Sequence, residues 1–208
     1  EDVFLVSKVL PYHATTAGTK QACEQSLKRL RTDRIDLYLL HWPGSVPLEE
    51  TIAGFETLRS AGKIRHWGVS NFDVADMEKL LKVPSGSAAA TNQVLYNLET
   101  RGIEFDLLPW SSSRAMPVMA YTPFGAGGRL LRSPALNAIA ERHGATPAQV
   151  ALAFLLQRSD VIVIPKAATQ GHVQTNAAAA SLRLEAADLE ALDAAHPPPR
   201  KKMPLAML

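Results

Sequence analysis

Ile35-Asp36-Leu37-Tyr38-Leu39-Leu40 is a short apolar run that stops at a polar residue, His41. Five other runs end the same way. Val3-Phe4-Leu5-Val6-Ser7 stops at Lys8, and Lys63-Ile64-Arg65-His66-Trp67-Gly68-Val69 stops at Ser70-Asn71. Ala88-Ala89-Ala90-Thr91-Asn92 stops at Gln93, Met116-Pro117-Val118-Met119-Ala120 at Tyr121, and Val161-Ile162-Val163-Ile164-Pro165 at Lys166. A (β/α) barrel assembles its site from polar residues at the carboxyl ends of several parallel strands. Eight strands close such a barrel, and these six are the ones the sequence displays.

Helical segments alternate with the runs, the signature of parallel α/β architecture. Amphipathic spacing predicts helices over 18–31 and 48–61, with Gly62 as a C-terminal stop. Asp73 is the expected N-cap of a helix over 74–82. Residues 84–87 read as a loop, and 104–114 as a weaker helix broken by Pro109. Ser133-Pro134 opens a helix to Arg142 and Thr146-Pro147 one to Arg158, with Pro at the first helical position. Helices over 170–180 and 186–194 close the fold. The tail from Pro197 to Pro199 cannot be helical, and its Arg200-Lys201-Lys202 cluster reads as a solvated, extended end. The expected organisation is one domain over 1–196 and a tail over 197–208.

The 208 residues suffice for a sizeable core. A net charge of +2 gives no argument for nucleic acid or anionic membrane as a partner. Cys23 is the single cysteine and cannot form an internal disulfide, so a reducing, cytoplasmic location is expected. No apolar stretch approaches bilayer-spanning length. The scattered histidines fit no zinc spacing, so no metal is expected. The chain begins Glu1-Asp2-Val3 without Met, which suggests a processed, truncated or partly recorded product.

Each polar strand end has a plain alternative. Lys8 can simply reach solvent, a lone histidine such as His41 is more often a structural hydrogen bonder, and Tyr121 can be a core aromatic. Gly125-Ala126-Gly127-Gly128 is either a flexible loop or a segment lying along a pyrophosphate. No strand, Gly-rich turn and helix with a downstream acid surround it, so it is no Rossmann fingerprint.

Taken in order, Ser7-Lys8, Asp36 to Pro43, Gly62 to Arg65 with Gly68 to Phe72, Asn92-Gln93, Tyr121-Thr122-Pro123 and Ile164-Pro165-Lys166 resemble the aldo-keto reductase family. Asn92 to Asn97, Arg101 to Glu104 and the proline-rich close resemble a bacterial branch that includes methylglyoxal-type reductases. The resemblance implies hydride transfer from a nicotinamide cofactor, usually NADPH, to an aldehyde or ketone. Lys8 matches the lysine that lowers the pKa of a proton-donating tyrosine, and His41 the histidine that orients the carbonyl. Ser70, Asn71 and Gln93 match the groups on the nicotinamide carboxamide, and Tyr121 the ring stacked on the nicotinamide.

Lys166 matches the lysine on the adenosine 2′-phosphate, with Thr169, His172 and Asn176 near the phosphate and adenine. An arginine often stands where this chain has His172, and a serine where it has Ala167. Both departures weaken the phosphate clamp and leave NADH possible. Tyr12 and Trp42 are expected at the substrate pocket. In the family, the proton-donating tyrosine and its aspartate lie upstream of the strand that ends in Lys8. The resemblance therefore implies an incomplete (β/α)8 TIM barrel with its first two β/α units absent and extra helices near the carboxyl terminus. Impaired turnover of this span alone, and self-association of an open barrel whose parent is a monomer, follow as expectations. A non-catalytic, nicotinamide-nucleotide-binding regulatory subunit is the alternative.

Overall fold

The computed structural model describes residues 3–208, so the Glu1-Asp2 start lies outside the described residues. The strands are β1 (Val6–Val9), β2 (Ile35–Leu40), β3 (Ile64–Ser70), β4 (Asn92–Leu95), β5 (Val118–Tyr121) and β6 (Val161–Ile164). They form a parallel α/β sheet whose order follows the chain. Every residue of β2 is buried, as a strand covered on both faces requires. Two compact units divide the chain, Glu1–Gln93 and Val94–Leu208.

In the first unit, α1 (Thr16–Leu30) begins two residues before its expected start. The reason is Thr15, whose hydroxyl accepts the Gly18 N–H at 3.1 Å and caps the first turn. Arg31 then ends the helix in the left-handed region at φ 54°. α2 spans Leu48–Ser60, and Gly62 follows at φ +70°, the geometry glycine takes without penalty. α3 (Val74–Lys82) has the expected bounds, and the Asp73 carboxylate accepts the Asp76 N–H at 2.8 Å.

Tyr38 and Trp67 are register partners on β2 and β3. Phe55 of α2 stacks on Trp67 at 5.3 Å and meets Tyr38 edge-on at 5.9 Å. Burial of each such ring contributes about 1.5–3 kcal/mol. Gly68 lies in the same strand, where a Cβ would stand 2.5 Å from the Thr91 carbonyl oxygen. The close approach of β3 to that chain segment therefore depends on glycine.

In the second unit, α4 is Leu107–Ser112, shorter than the expected 104–114. Residues 102–104 form a separate 3-10 turn. Pro109 is the third helical residue, where an N–H has no intrahelical partner to lose, so it opens the helix instead of breaking it. α5 (Pro134–Arg142) and α6 (Pro147–Leu156) start at their prolines, and Thr146 with Gln149 forms a reciprocal capping box. α6 stops short of Arg158, whose carbonyl takes the Val161 N–H at 3.2 Å in the turn into β6. α7 (Gln170–Ala178) and α8 (Ala186–Ala195) follow.

Leu98, Leu130, Leu136, Ile139, Val150 and Leu192 make this unit's core. Buried Arg101 forms a two-pronged pair with Glu104, bonds Asp193 at 2.7 Å and donates to the His196 carbonyl. The tail is non-helical, and Lys202 pairs with Asp106 at 3.2 Å. Among the described residues no helix is long and apolar enough to cross a membrane, and no three His, Cys, Asp or Glu residues gather as a metal would require.

Candidate active site

Ser70, Asn71, Gln93 and His41 of the first unit are joined in one hydrogen-bond network. The expected strand ending at Gln93 is shifted: β4 starts at Asn92 and runs on to Leu95, so Gln93 lies near its beginning. Ser70 ends β3 and is register partner of Gln93 on β4. The Ser70 hydroxyl donates to the Gln93 carbonyl at 2.8 Å. Asn71 follows at φ 59°, a left-handed backbone that Asn tolerates better than other side-chain-bearing residues. Its N–H donates to the same Gln93 carbonyl at 2.9 Å. Its Nδ2 donates to the His41 carbonyl at 3.1 Å and to Ser70 Oγ at 3.2 Å. Ser70, Asn71 and Gln93 are all buried.

His41 leaves β2 with its N–H bonded to the Val9 carbonyl at 2.9 Å. Its ring lies 4.6 Å from that of Trp42. Burial, and secondly the charge of Lys8, lower the imidazole pKa below 6.5. Lys8 itself is half-buried on β1, and burial lowers its ammonium pKa. A neutral imidazole beside a partly desolvated lysine suits hydrogen bonding to a carbonyl oxygen and stabilisation of an adjacent anion. Tyr12 lies in a 3-10 turn after β1 and is exposed. Its loop meets the Trp42 loop where Gly44 touches Pro11, since a Cβ on Gly44 would stand 2.4 Å from the Pro11 Cβ.

The second unit holds the remaining candidates. Tyr121 ends β5, half-buried, and burial raises its hydroxyl pKa while a backbone hydrogen bond at Leu208 acts the other way. The next residue, Thr122, has φ 53°. A left-handed, β-branched residue costs roughly 1–2 kcal/mol, so something must hold it. Lys166 follows β6 and is exposed, as are Thr169 and His172. Thr169 caps α7, its hydroxyl accepting the His172 N–H at 3.2 Å, a role the sequence reading did not assign. Asn176 is half-buried on the wall of a groove of about 330 Å³ with Leu156, Val163, Pro165 and Val173. Gly125, Gly127 and Gly128 all have φ near +70°, so this loop bends in ways other residues resist.

Two asparagines escaped assignment. Asn92 is wholly buried, donates to the Phe72 carbonyl at 2.8 Å and accepts the Phe72 N–H at 3.4 Å, holding the turn after Asn71. Asn97 donates to the Thr122 carbonyl at 3.0 Å. Both act across 20 residues or more, so no local pattern announces them.

A family profile described as the Aldo/keto reductase family matches residues 1–197. Methylglyoxal reductase YeaE of Escherichia coli is 52% identical, over all of this chain and 75% of its own length. A Klebsiella pneumoniae aldo/keto reductase solved with NADP and acetate superposes at a TM-score of 0.96 and 48% identity, covering 99% of this chain and 74% of that one. Another from Klebsiella pneumoniae, solved with NADPH, gives 0.95 and 49% with the same coverage. The chain thus spans about three quarters of these relatives' length.

Proposed function

The chain belongs to the aldo/keto reductase family, and on that premise we propose that it reduces small reactive aldehydes of the methylglyoxal type to alcohols with NADPH. The observation that carries this reading is the network of Ser70, Asn71, Gln93 and His41, at the ends of β2 and β3 and near the start of β4. One hydroxyl and two carboxamides offer the donors and acceptors that a nicotinamide amide takes. Bonds to backbone carbonyls fix the Ser70 hydroxyl and the Asn71 carboxamide before a ligand arrives, which removes an ordering cost from binding.

NADPH, when bound, supplies the hydride. In this reading Ser70, Asn71 and Gln93 hold the carboxamide, Tyr121 stacks on the ring, and Lys166 pairs with the 2′-phosphate. Thr169 and His172 sit at the amino end of α7 beside that phosphate, and Asn176 in its groove takes the adenine. His41, neutral at pH 7, donates an N–H to the substrate carbonyl oxygen. Lys8, as a half-buried cation, would stabilise by opposite charge the phenolate of a proton-donating tyrosine placed beside it. Tyr12 and Trp42 wall the substrate. The name of the Escherichia coli relative supports a small dicarbonyl aldehyde as substrate.

None of the four tyrosines stands in the family's proton-donor motif. Tyr38 and Tyr96 are buried, and Tyr96 donates to Glu104 at 2.8 Å. Tyr12 is exposed, and Tyr121, at the end of β5, is the ring given the stacking role in this reading. The chain is therefore expected to bind NADPH saturably yet reduce methylglyoxal slower than a reductase that carries the donor tyrosine, by on the order of 10²–10⁴. A fluorescence titration with NADPH and an absorbance assay of its oxidation test this. Failure to bind NADPH would overturn the proposal, and full-rate turnover would overturn the statement about the donor.

A further inference from the structure

Asn97 stands in the turn that follows β4, at the start of the second unit, and is 1% exposed. Its Oδ1 accepts the N–H groups of Glu99 and Thr100, both at 2.9 Å. That leaves the carboxamide aimed by its own turn, and Nδ2 donates to the Thr122 carbonyl at 3.0 Å. The preceding residue does the same one step earlier, since the Tyr96 N–H donates to the Tyr121 carbonyl at 3.4 Å. Two successive carbonyls at the end of β5 are thus held by two successive residues after β4. Between those carbonyls lies Thr122, at φ 53°. A β-branched residue leaves the left-handed region when nothing retains it. The same carbonyl also accepts the Gly125 N–H at 3.1 Å. The Asn97 bond thus ends on the residue immediately after Tyr121.

We propose that Asn97 is a positioning residue: by retaining Thr122 in its left-handed conformation it sets the orientation of Tyr121 toward the nicotinamide. The inference rests on the stacking role given to Tyr121 above. Nothing in the turn touches the adenosine end of a dinucleotide in this reading, so the effect of Asn97 is confined to the nicotinamide half. A purely structural asparagine would disturb both halves together.

The test compares dissociation constants for NADPH and for 2′,5′-ADP, which lacks the nicotinamide, measured on the full chain by fluorescence or calorimetry. Asn97→Ala is expected to weaken NADPH about 10-fold and leave 2′,5′-ADP within about 2-fold, the scale of one lost hydrogen bond. Thr122→Gly, which accepts φ 53° without strain, is expected to change little alone and to restore NADPH binding of the double variant to within about 3-fold of the parent chain. Equal losses for both ligands, or a double variant no better than Asn97→Ala, would overturn the proposal. Where Asn97→Ala folds poorly, Asn97→Ser keeps the acceptor for Glu99 and Thr100 and loses the reach to Thr122, with the same outcomes expected. Tyr121→Leu separates the two readings. If it leaves NADPH affinity unchanged, the stacking role is wrong. If it weakens NADPH while Asn97→Ala does not, the positioning role alone is wrong.

Discussion

The two ends of the proposed cofactor meet protein of opposite character. Ser70, Asn71 and Gln93 in the first unit are buried, and Ser70 and Asn71 are tied to backbone carbonyls, one of them that of Gln93. Lys166, Thr169 and His172 in the second unit are exposed, and α7 has no buried residue. The difference teaches how recognition is divided. A neutral amide is read by fixed donors and acceptors, whose value lies in being already in place. On the proposed reading, a phosphate is read by charge on exposed side chains, whose value falls with salt.

The largest effect is expected at Asn71. Asn71→Ala removes two donated hydrogen bonds and leaves alanine at a left-handed φ, a combined loss of about 2–3 kcal/mol. NADPH and NADH should both weaken about 30- to 100-fold, equally at low and high salt. Titrations at two ionic strengths check this, and a salt-dependent loss would erase the contrast. Lys166→Met comes next. It should weaken NADPH about 10-fold at low salt, less at high salt, and leave NADH unchanged. His172→Arg adds a fork of donors beside the same phosphate and should tighten NADPH about 2- to 5-fold with NADH again unmoved.

The smallest effect is a pH shift in the first unit. His41 titrates below 6.5 because of burial first and Lys8 second. Its folded-state value is depressed, so as pH falls through 6.5 the unfolded chain takes a proton that the folded chain refuses. Stability therefore drops with pH across the window from 6.5 down to the folded value. NMR titration of the His41 ring should find its midpoint below 6.5, and Lys8→Met should move it upward by a fraction of a unit. A midpoint above 6.5 would mean that the imidazole is charged by a partner instead of being neutralised by its surroundings.

Much of this was legible in the sequence, for identifiable reasons. Strand ends such as Leu40-His41 and Val69-Ser70 show because an abrupt change from apolar to polar marks where a buried strand surfaces. Helix starts at Asp73, Pro134 and Pro147 show because capping chemistry is local. The start of α1 did not, since Thr15 and Thr16 offer two adjacent hydroxyls and only geometry selects the first as the cap. The end of α6 depends on a turn into β6 that no single residue encodes. Thr169 matches a ligand-binding position and also caps α7, two roles that the same hydroxyl-bearing sequence position cannot distinguish. Asn92 and Asn97 stand in family-like motifs, but their holding roles have no local signal because their partners are distant in the chain. Gly68 is similar, because what demands a glycine there is the Thr91 backbone just before β4.

A crystal structure of the chain with NADP speaks to all of these points at once. The account predicts the nicotinamide carboxamide within hydrogen-bond distance, about 3 Å, of Ser70, Asn71 and Gln93, with the Tyr121 ring against the nicotinamide and Lys166 on the 2′-phosphate. A dinucleotide bound with its carboxamide away from those three side chains would contradict it.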